Sequence, residues 1–131
     1  MSNYAVKEID SMEAVYLGAF KRARAELGVE SFGMAVIDLP PNFDQYPEHD
    51  HSHDQQEEVF LAMRGSGEIE IEGERFPLDD NHIARVAWQA KRKLLSGPEG
   101  IRVLALSGCP GKLYEAPEVS KLGEPDPMAT S

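Results

Sequence analysis

The chain has 131 residues, of which 41% are hydrophobic and 27% charged, a composition typical of one globular domain and not of a disordered chain. Its formal net charge of −10 opposes binding to nucleic-acid phosphates, which are also negative. The longest apolar runs, 59–63 and 103–106, are far shorter than the roughly 20 residues of a membrane span. With one cysteine, Cys109, and no secretory leader, the sequence predicts a cytoplasmic protein that binds neither nucleic acid nor membrane.

The first thirty residues predict an extended arm followed by a helix over residues 11–27. Gly28 would end this helix, because glycine readily takes the left-handed conformation found after a last turn. We therefore expect residues 1–30 to form an arm and one helix packed outside a larger body. Apolar residues recur at helical spacing in this stretch: Met12, Val15, Tyr16, Ala19, Phe20, Ala23 and Leu27.

From residue 31 onward the pattern changes to short strands separated by Gly, Pro and Asp turns. Strict alternation over residues 68–72 places isoleucines on one face and glutamates on the other. Such a series predicts an antiparallel all-β sandwich or barrel over residues 31–110. The tail, 111–131, contains several Pro and Gly residues and is expected to wrap the surface or to be disordered at its end. Strands are expected at 32–39, 59–64, 68–72, 75–78, 83–88, 92–95 and 100–107.

Three of the four histidines stand at alternate positions in one polar segment, as His49, His51 and His53. In an extended chain alternate side chains point to one side, so these imidazoles can face a single cavity. A carboxylate follows at Glu57 or Glu58. Two imidazoles and one carboxylate suit Fe(II), and the same donors suit Mn(II), Ni(II), Co(II) or Zn(II). The alternative is a solvated surface loop that binds metal only adventitiously.

The spacing His51-x-His53-x4-Glu58-x6-Gly65 resembles the first sequence motif of the cupin superfamily. The resemblance covers roughly residues 32–107 and departs from the motif at its start, where an expected glycine is missing. It implies a cupin double-stranded β-helix, or jelly-roll barrel, with the N-terminal helix packed outside. It also implies a divalent metal inside the barrel, a small-molecule ligand and a homodimer.

A second register of the same motif is open. Pro47-x-His49-x-His51 resembles the Pro-x-His-x-His opening of many cupins, with a lengthened loop before Glu58. His51 is a metal ligand in both registers, and His49 and His53 are equal alternatives for the second imidazole. The metal, whether Fe, Mn, Ni or Zn, or none, is not specified by these donors.

The second cupin motif departs from the family at Arg92, which stands where the family has its fourth ligand, a histidine. Arginine stays protonated and offers no lone pair, so it cannot coordinate a cation. Arg92 could pair with Glu58, which would remove the metal site, or bind an anionic substrate through a bidentate contact. A solvated strand edge is the third interpretation of this residue.

Three functions therefore remain open, and no residue is assigned as catalytic. The first is a metal-dependent cupin that acts on a small, anionic molecule bound by Arg92. The resemblance implies dioxygenase- or isomerase-like chemistry for such a protein. The second is a non-catalytic, small-molecule-binding cupin whose metal site is degenerate or absent. The third, weaker function is that of a dimeric scaffold.

Overall fold

The regular secondary structure of residues 2–128, described by a computed structural model, is mainly antiparallel β-sheet. One short helix, α1 (Ala23–Leu27), and two 3-10 turns, Ile9–Ser11 and Glu118–Ser120, complete the regular structure. No helix among residues 2–128 is long and apolar enough to cross a membrane. The strands are β1 (Ala14–Val15), β2 (Phe20–Lys21), β3 (Gly33–Leu39), β4 (Glu57–Ile71), β5 (Glu74–Leu78), β6 (Ile83–Val86) and β7 (Arg92–Gly108).

The long strands β4 and β7 form the centre of the sheet. They pair antiparallel over most of their length, from Glu57 opposite Gly108 to Ile71 opposite Arg92. The strand order is β1-β2-β3-β7-β4-β5, and β6 pairs with the first part of β4. Because the two ends of β4 carry different neighbours, the sheet curls around a core, although its hydrogen bonds do not close it into a strict barrel over residues 2–128.

Glycines bend the long strands where the sequence predicts turns. The two strands predicted on either side of Gly65 are one strand, β4, whose register against β7 shifts around that residue. A Cβ on Gly65 would lie 2.2 Å from the carbonyl oxygen of Gly100, and one on Gly67 would lie 2.0 Å from that of Leu95. Only glycine allows such close approach, and glycine marks bulges as well as turns. Likewise, the two strands predicted between residues 92 and 107 are the single strand β7.

The prediction of a helix over 11–27 is wrong for most of its length. The β1–β2 hairpin occupies that stretch, and α1 covers only its last turn, ended by Gly28 at a φ of 81°. The apolar spacing still marks buried positions, since Val15 and Ala23 lie in the core. Short helices are marginal without tertiary support. Here β2 pairs with β3, so residues 14–21 join the sheet. The short helix α1 still packs outside the main core, since Ala23 lies in a second buried cluster with Met12 and Val36.

The main core lies inside the curled sheet and ends at the candidate site. Alternation correctly predicts the inward face at Ile69, which is fully buried, while Ile71 packs against the core and is partly buried. Phe43 and Tyr46, from the segment before β4, pack against this cluster. The buried members are Ile37, Leu39, Phe60, Ile69, Leu78, Val86, Leu94, Ile101, Val103 and Ala105.

The tail wraps the surface as far as residue 128, and residues 129–131 lie outside the described residues. Its main anchor is Arg22, a buried side chain that donates hydrogen bonds to the carbonyl oxygens of Val119 and Glu124 at 2.7 and 2.8 Å. The same guanidinium pairs with the Glu13 carboxylate at 2.6 Å. The tail is therefore attached to the N-terminal hairpin by a buried cation.

Candidate metal centre

Backbone pairing places two of the predicted histidines beside the start of β7. His49 exchanges two backbone hydrogen bonds with Arg92, at 3.0 and 2.9 Å, and the N–H of His51 donates to the carbonyl of Trp88 at 2.9 Å. This pairing keeps residues 49–51 extended, so alternate side chains share a face. The two imidazole centroids are 5.2 Å apart. Glu58 reaches the same place from the start of β4.

The donor atoms of His49, His51 and Glu58 all lie within 4.8 Å of one another. His51 Nε2 is 3.1 Å from Glu58 Oε1, but the geometry does not make a hydrogen bond, and this buried nitrogen has no hydrogen-bond partner. Two ligand atoms that each lie about 2.1 Å from one ion, at a right angle, are separated by about 3 Å. An unpaired nitrogen at this distance from a carboxylate therefore fits a shared cation.

The other ring nitrogen of each histidine has an acceptor that fixes its proton. His49 Nδ1 lies 3.0 Å from the carbonyl oxygen of Pro47, and His51 Nδ1 lies 3.0 Å from Asp54 Oδ1. A proton held at Nδ1 leaves the lone pair on Nε2, the arrangement that commonly orients metal-binding histidines. Both imidazoles therefore have Nε2 as the nitrogen that is free to coordinate.

Electrostatics favour a cation at His51. Burial disfavours the charged imidazole, but the carboxylates of Glu58 and Asp54 outweigh burial and raise the pKa of His51 above its ordinary value. A metal ion at His51 would therefore compete with a proton for the same imidazole. Metal binding must displace any proton on His51, so the affinity for the metal should rise as the pH increases through the pKa of His51.

Arg92 is fully buried, with 0% of the residue exposed, so the interpretation as a solvated strand edge is wrong. Its Nη1 pairs with Glu58 Oε1. This ion pair is one of the three interpretations that the sequence left open for Arg92. Its Nη2 donates to the carbonyls of Ala87 and Ala90 at 2.9 and 3.0 Å, and its Nε donates to Ala90 at 3.2 Å. A bidentate contact with a substrate would require this pairing to open, and it stays a prediction.

His53 does not join the inner group of His49, His51 and Glu58. A turn begins at His51. Its carbonyl oxygen accepts hydrogen bonds from the N–H groups of Asp54 and Gln55. The turn leaves the His53 side chain 73% exposed, with Nε2 3.4 Å from Asp54 Oδ2. His51, His53 and Asp54 form a second group of donors within 4.8 Å. Asp54 was missed in the sequence, although an acid three residues after a histidine is a common turn contact.

Tyr46 adds a neutral hydroxyl beside the site. Its ring centroid lies 5.8 Å from that of His49, and the residue packs against the main core. Burial, and next the charge of Glu58, raise the pKa of Tyr46, so it keeps its proton at neutral pH.

His82, expected outside the barrel, is half-exposed and bonded to Asp79 at 2.7 Å.

The sequence matches no protein-family profile and no curated protein. Solved structures are similar in fold. A cupin protein from Bacteroides fragilis is 24% identical, with 89% of this chain and 93% of that chain covered and a TM-score of 0.66. A protein from Photorhabdus luminescens is 18% identical, with coverage of 82% and 88% and a TM-score of 0.61.

A third similar structure is described as a predicted oxalate decarboxylase from Thermotoga maritima. It is 18% identical, 59% of this chain and 66% of that chain are covered, and the TM-score is 0.52. Identities this low carry the fold and leave activity open. The curled antiparallel sheet, the His-x-His segment ahead of β4 and these neighbours together confirm the resemblance: this chain has the fold of the cupin superfamily.

Proposed function

We propose that the chain binds one divalent transition metal through His49, His51 and Glu58 and acts there on a small carboxylate-bearing molecule. The observation that carries the proposal is the buried, unpaired Nε2 of His51 beside the Glu58 carboxylate. An unpaired buried nitrogen costs free energy unless a proton or an ion uses it. The donor set of two imidazoles and one carboxylate is one that divalent transition metals accept.

Three protein ligands would leave coordination positions open for a second molecule. A metal bound there supplies Lewis-acid polarisation of a substrate oxygen, or a position for dioxygen. The chain's own residues orient the ligands: the Pro47 carbonyl and Asp54 hold the two imidazoles, and Arg92 holds Glu58. Both contacts of Glu58 use Oε1, which leaves its other oxygen without a hydrogen bond among residues 2–128.

Charge supports an anionic substrate. A divalent ion and Arg92 would bring three positive charges to the site, against two negative charges from Glu58 and Asp54. The excess is positive and lies in a partly buried place, where it attracts anions strongly. The neutral hydroxyl of Tyr46 is a hydrogen-bond donor suited to a substrate oxygen. Oxalate, in the name of the Thermotoga protein, belongs to the same chemical class of small carboxylates.

A non-catalytic binding protein is the second candidate, and the Arg92–Glu58 pair favours it. If Arg92 is the only cation that Glu58 binds in the working protein, the site would bind its organic ligand without a metal. Such a protein would keep that ligand in the presence of EDTA. The metal-dependent protein would release it.

Elemental analysis of untagged protein, purified without added metal, tests the proposal. Wild type should carry about one Fe, Mn, Ni, Co or Zn per chain, and His51→Ala should carry none while remaining folded by circular dichroism. His82→Ala is the matched control, because it removes a histidine that pairs with Asp79 and belongs to neither group of donors. Wild type without metal after reconstitution, or His51→Ala with full metal content, would rule the metal centre out.

A further inference from the structure

His51 has a carboxylate beside each of its two ring nitrogens. Nε2 faces Glu58 in the inner group, and Nδ1 lies 3.0 Å from Asp54 Oδ1 on the outer side. The rings of His51 and His53 stack with centroids 5.7 Å apart. One imidazole therefore stands on the boundary between two sets of ligand atoms.

The outer set has the same chemistry as the inner one. His51, His53 and Asp54 offer two imidazoles and one carboxylate, with the donor atoms within 4.8 Å of one another. The two oxygens of Asp54 are divided between the histidines, with Oδ1 near His51 and Oδ2 3.4 Å from His53 Nε2. This is a donor set for a divalent transition metal.

The two sets differ in their access to water. His53 is mostly exposed and, with Asp54, lines an open cleft of about 900 Å³ between the turn at 52–55 and the tail at 112–117. Ligands on an open surface exchange ions with solvent more readily than ligands that are largely buried, as His51 and Glu58 are. The cleft also holds Lys112 and Glu115, which nearly offset each other, so nothing in it repels a cation strongly.

We propose that His51, His53 and Asp54 form an outer, transient binding position for the divalent metal, from which the ion passes to the inner group across the His51 ring. This inference rests on the proposed function, because it supplies the ion that the inner group binds. Transfer requires a tautomer change: the lone pair on Nδ1 is used outside, and the one on Nε2 inside. The proton of His51 therefore moves from Nε2 to Nδ1 as the ion moves inward, where Asp54 accepts its hydrogen bond.

A neutral imidazole has one lone pair, so the two positions exclude each other at His51. The chain should consequently bind a single ion at equilibrium, and it should use the outer position during uptake. His53 belongs to the outer set alone, and His49 belongs to the inner set alone. These two residues allow the positions to be removed separately, without disturbing the buried Arg92–Glu58 pair.

Co(II), whose visible absorption reports its coordination, is the probe for both uptake and affinity. For metal-free protein mixed with Co(II) in a stopped-flow instrument, His53→Ala should slow uptake about tenfold and leave the final affinity within a factor of about three. His49→Ala should keep one weak site, and adding His53→Ala to it should weaken that site about tenfold or more. His82→Ala should match wild type in both measurements.

Uptake by His53→Ala at the wild-type rate, or equal Co(II) affinity of His49→Ala and the double variant, would overturn the outer position and leave the inner group standing. A wild type that binds no Co(II) would overturn the proposed function and this inference with it. Loss of tight binding in His53→Ala would also contradict the outer position, since it would make His53 an inner ligand.

Discussion

A single carboxylate balances the buried arginine of this barrel. The guanidinium of Arg92 is satisfied by Glu58 and by two backbone carbonyls. Glu58 is therefore shared between a permanent cation and the proposed metal.

Replacing Glu58 by Gln should lower the free energy of unfolding by about 3–5 kcal/mol, because Arg92 would be left buried without a counter-charge. Its neighbour Glu57 provides the matched control: its partner Arg85 is 65% exposed, and Glu57→Gln should cost less than about 1 kcal/mol. Urea denaturation of the metal-free proteins measures both changes. Similar losses in the two variants would contradict a buried, structural pair.

The sequence predicts part of the candidate site and leaves the second imidazole open. The spacing of the polar segment leaves Glu57 and Glu58 as alternatives, and the resemblance to the cupin motif selects His51 and Glu58, which both lie in the inner group. The choice between His49 and His53 depends on whether the chain stays extended after His51. It does not, because the carbonyl of His51 accepts the hydrogen bonds of a turn, and Asp54 becomes a partner of His51 and His53.

At the scale of elements, the C-terminal tail stabilises the turn between β1 and β2, whose backbone conformation is unfavourable. Tyr16 and Leu17, between β1 and β2, both have left-handed backbones, with φ of 55° and 58°. This backbone conformation is energetically unfavourable for residues that have a side chain. The carboxylate of Asp126 accepts hydrogen bonds from both of their N–H groups, at 2.8 and 3.1 Å. A distant contact thus fixes a turn that local sequence disfavours, which explains why helical spacing misled the prediction here.

Asp126→Ala should loosen this hairpin. Without the carboxylate acceptor, the turn at Tyr16 and Leu17 loses the contact that holds it, and cleavage by chymotrypsin after these residues should accelerate about fivefold. Glu118→Ala is the control, because that tail carboxylate is exposed and pairs with Lys121 three residues away. Equal cleavage rates in wild type and Asp126→Ala would show that the tail does not hold the hairpin.

For the molecule as a whole, patterns of local sequence predicted the fold class, and long-range contacts decided the connections. Alternation and turn residues indicate an antiparallel all-β body. The resemblance of the His-x-His segment to the cupin motif indicates which all-β fold it is. The pairing of β4 with β7 brings Glu57 opposite Gly108, which no local pattern specifies. The glycines at 65 and 67 matter for the same reason, since they permit an approach between strands that are distant in sequence.

The most direct test of the metal centre is a crystal structure of the Co(II)-loaded protein, with diffraction data collected on both sides of the cobalt absorption edge. The expected result is one strong anomalous peak bounded by Nε2 of His49, Nε2 of His51 and a carboxylate oxygen of Glu58. A peak at His53 and Asp54 alone, or no peak while Arg92 remains paired with Glu58, would contradict an inner metal centre.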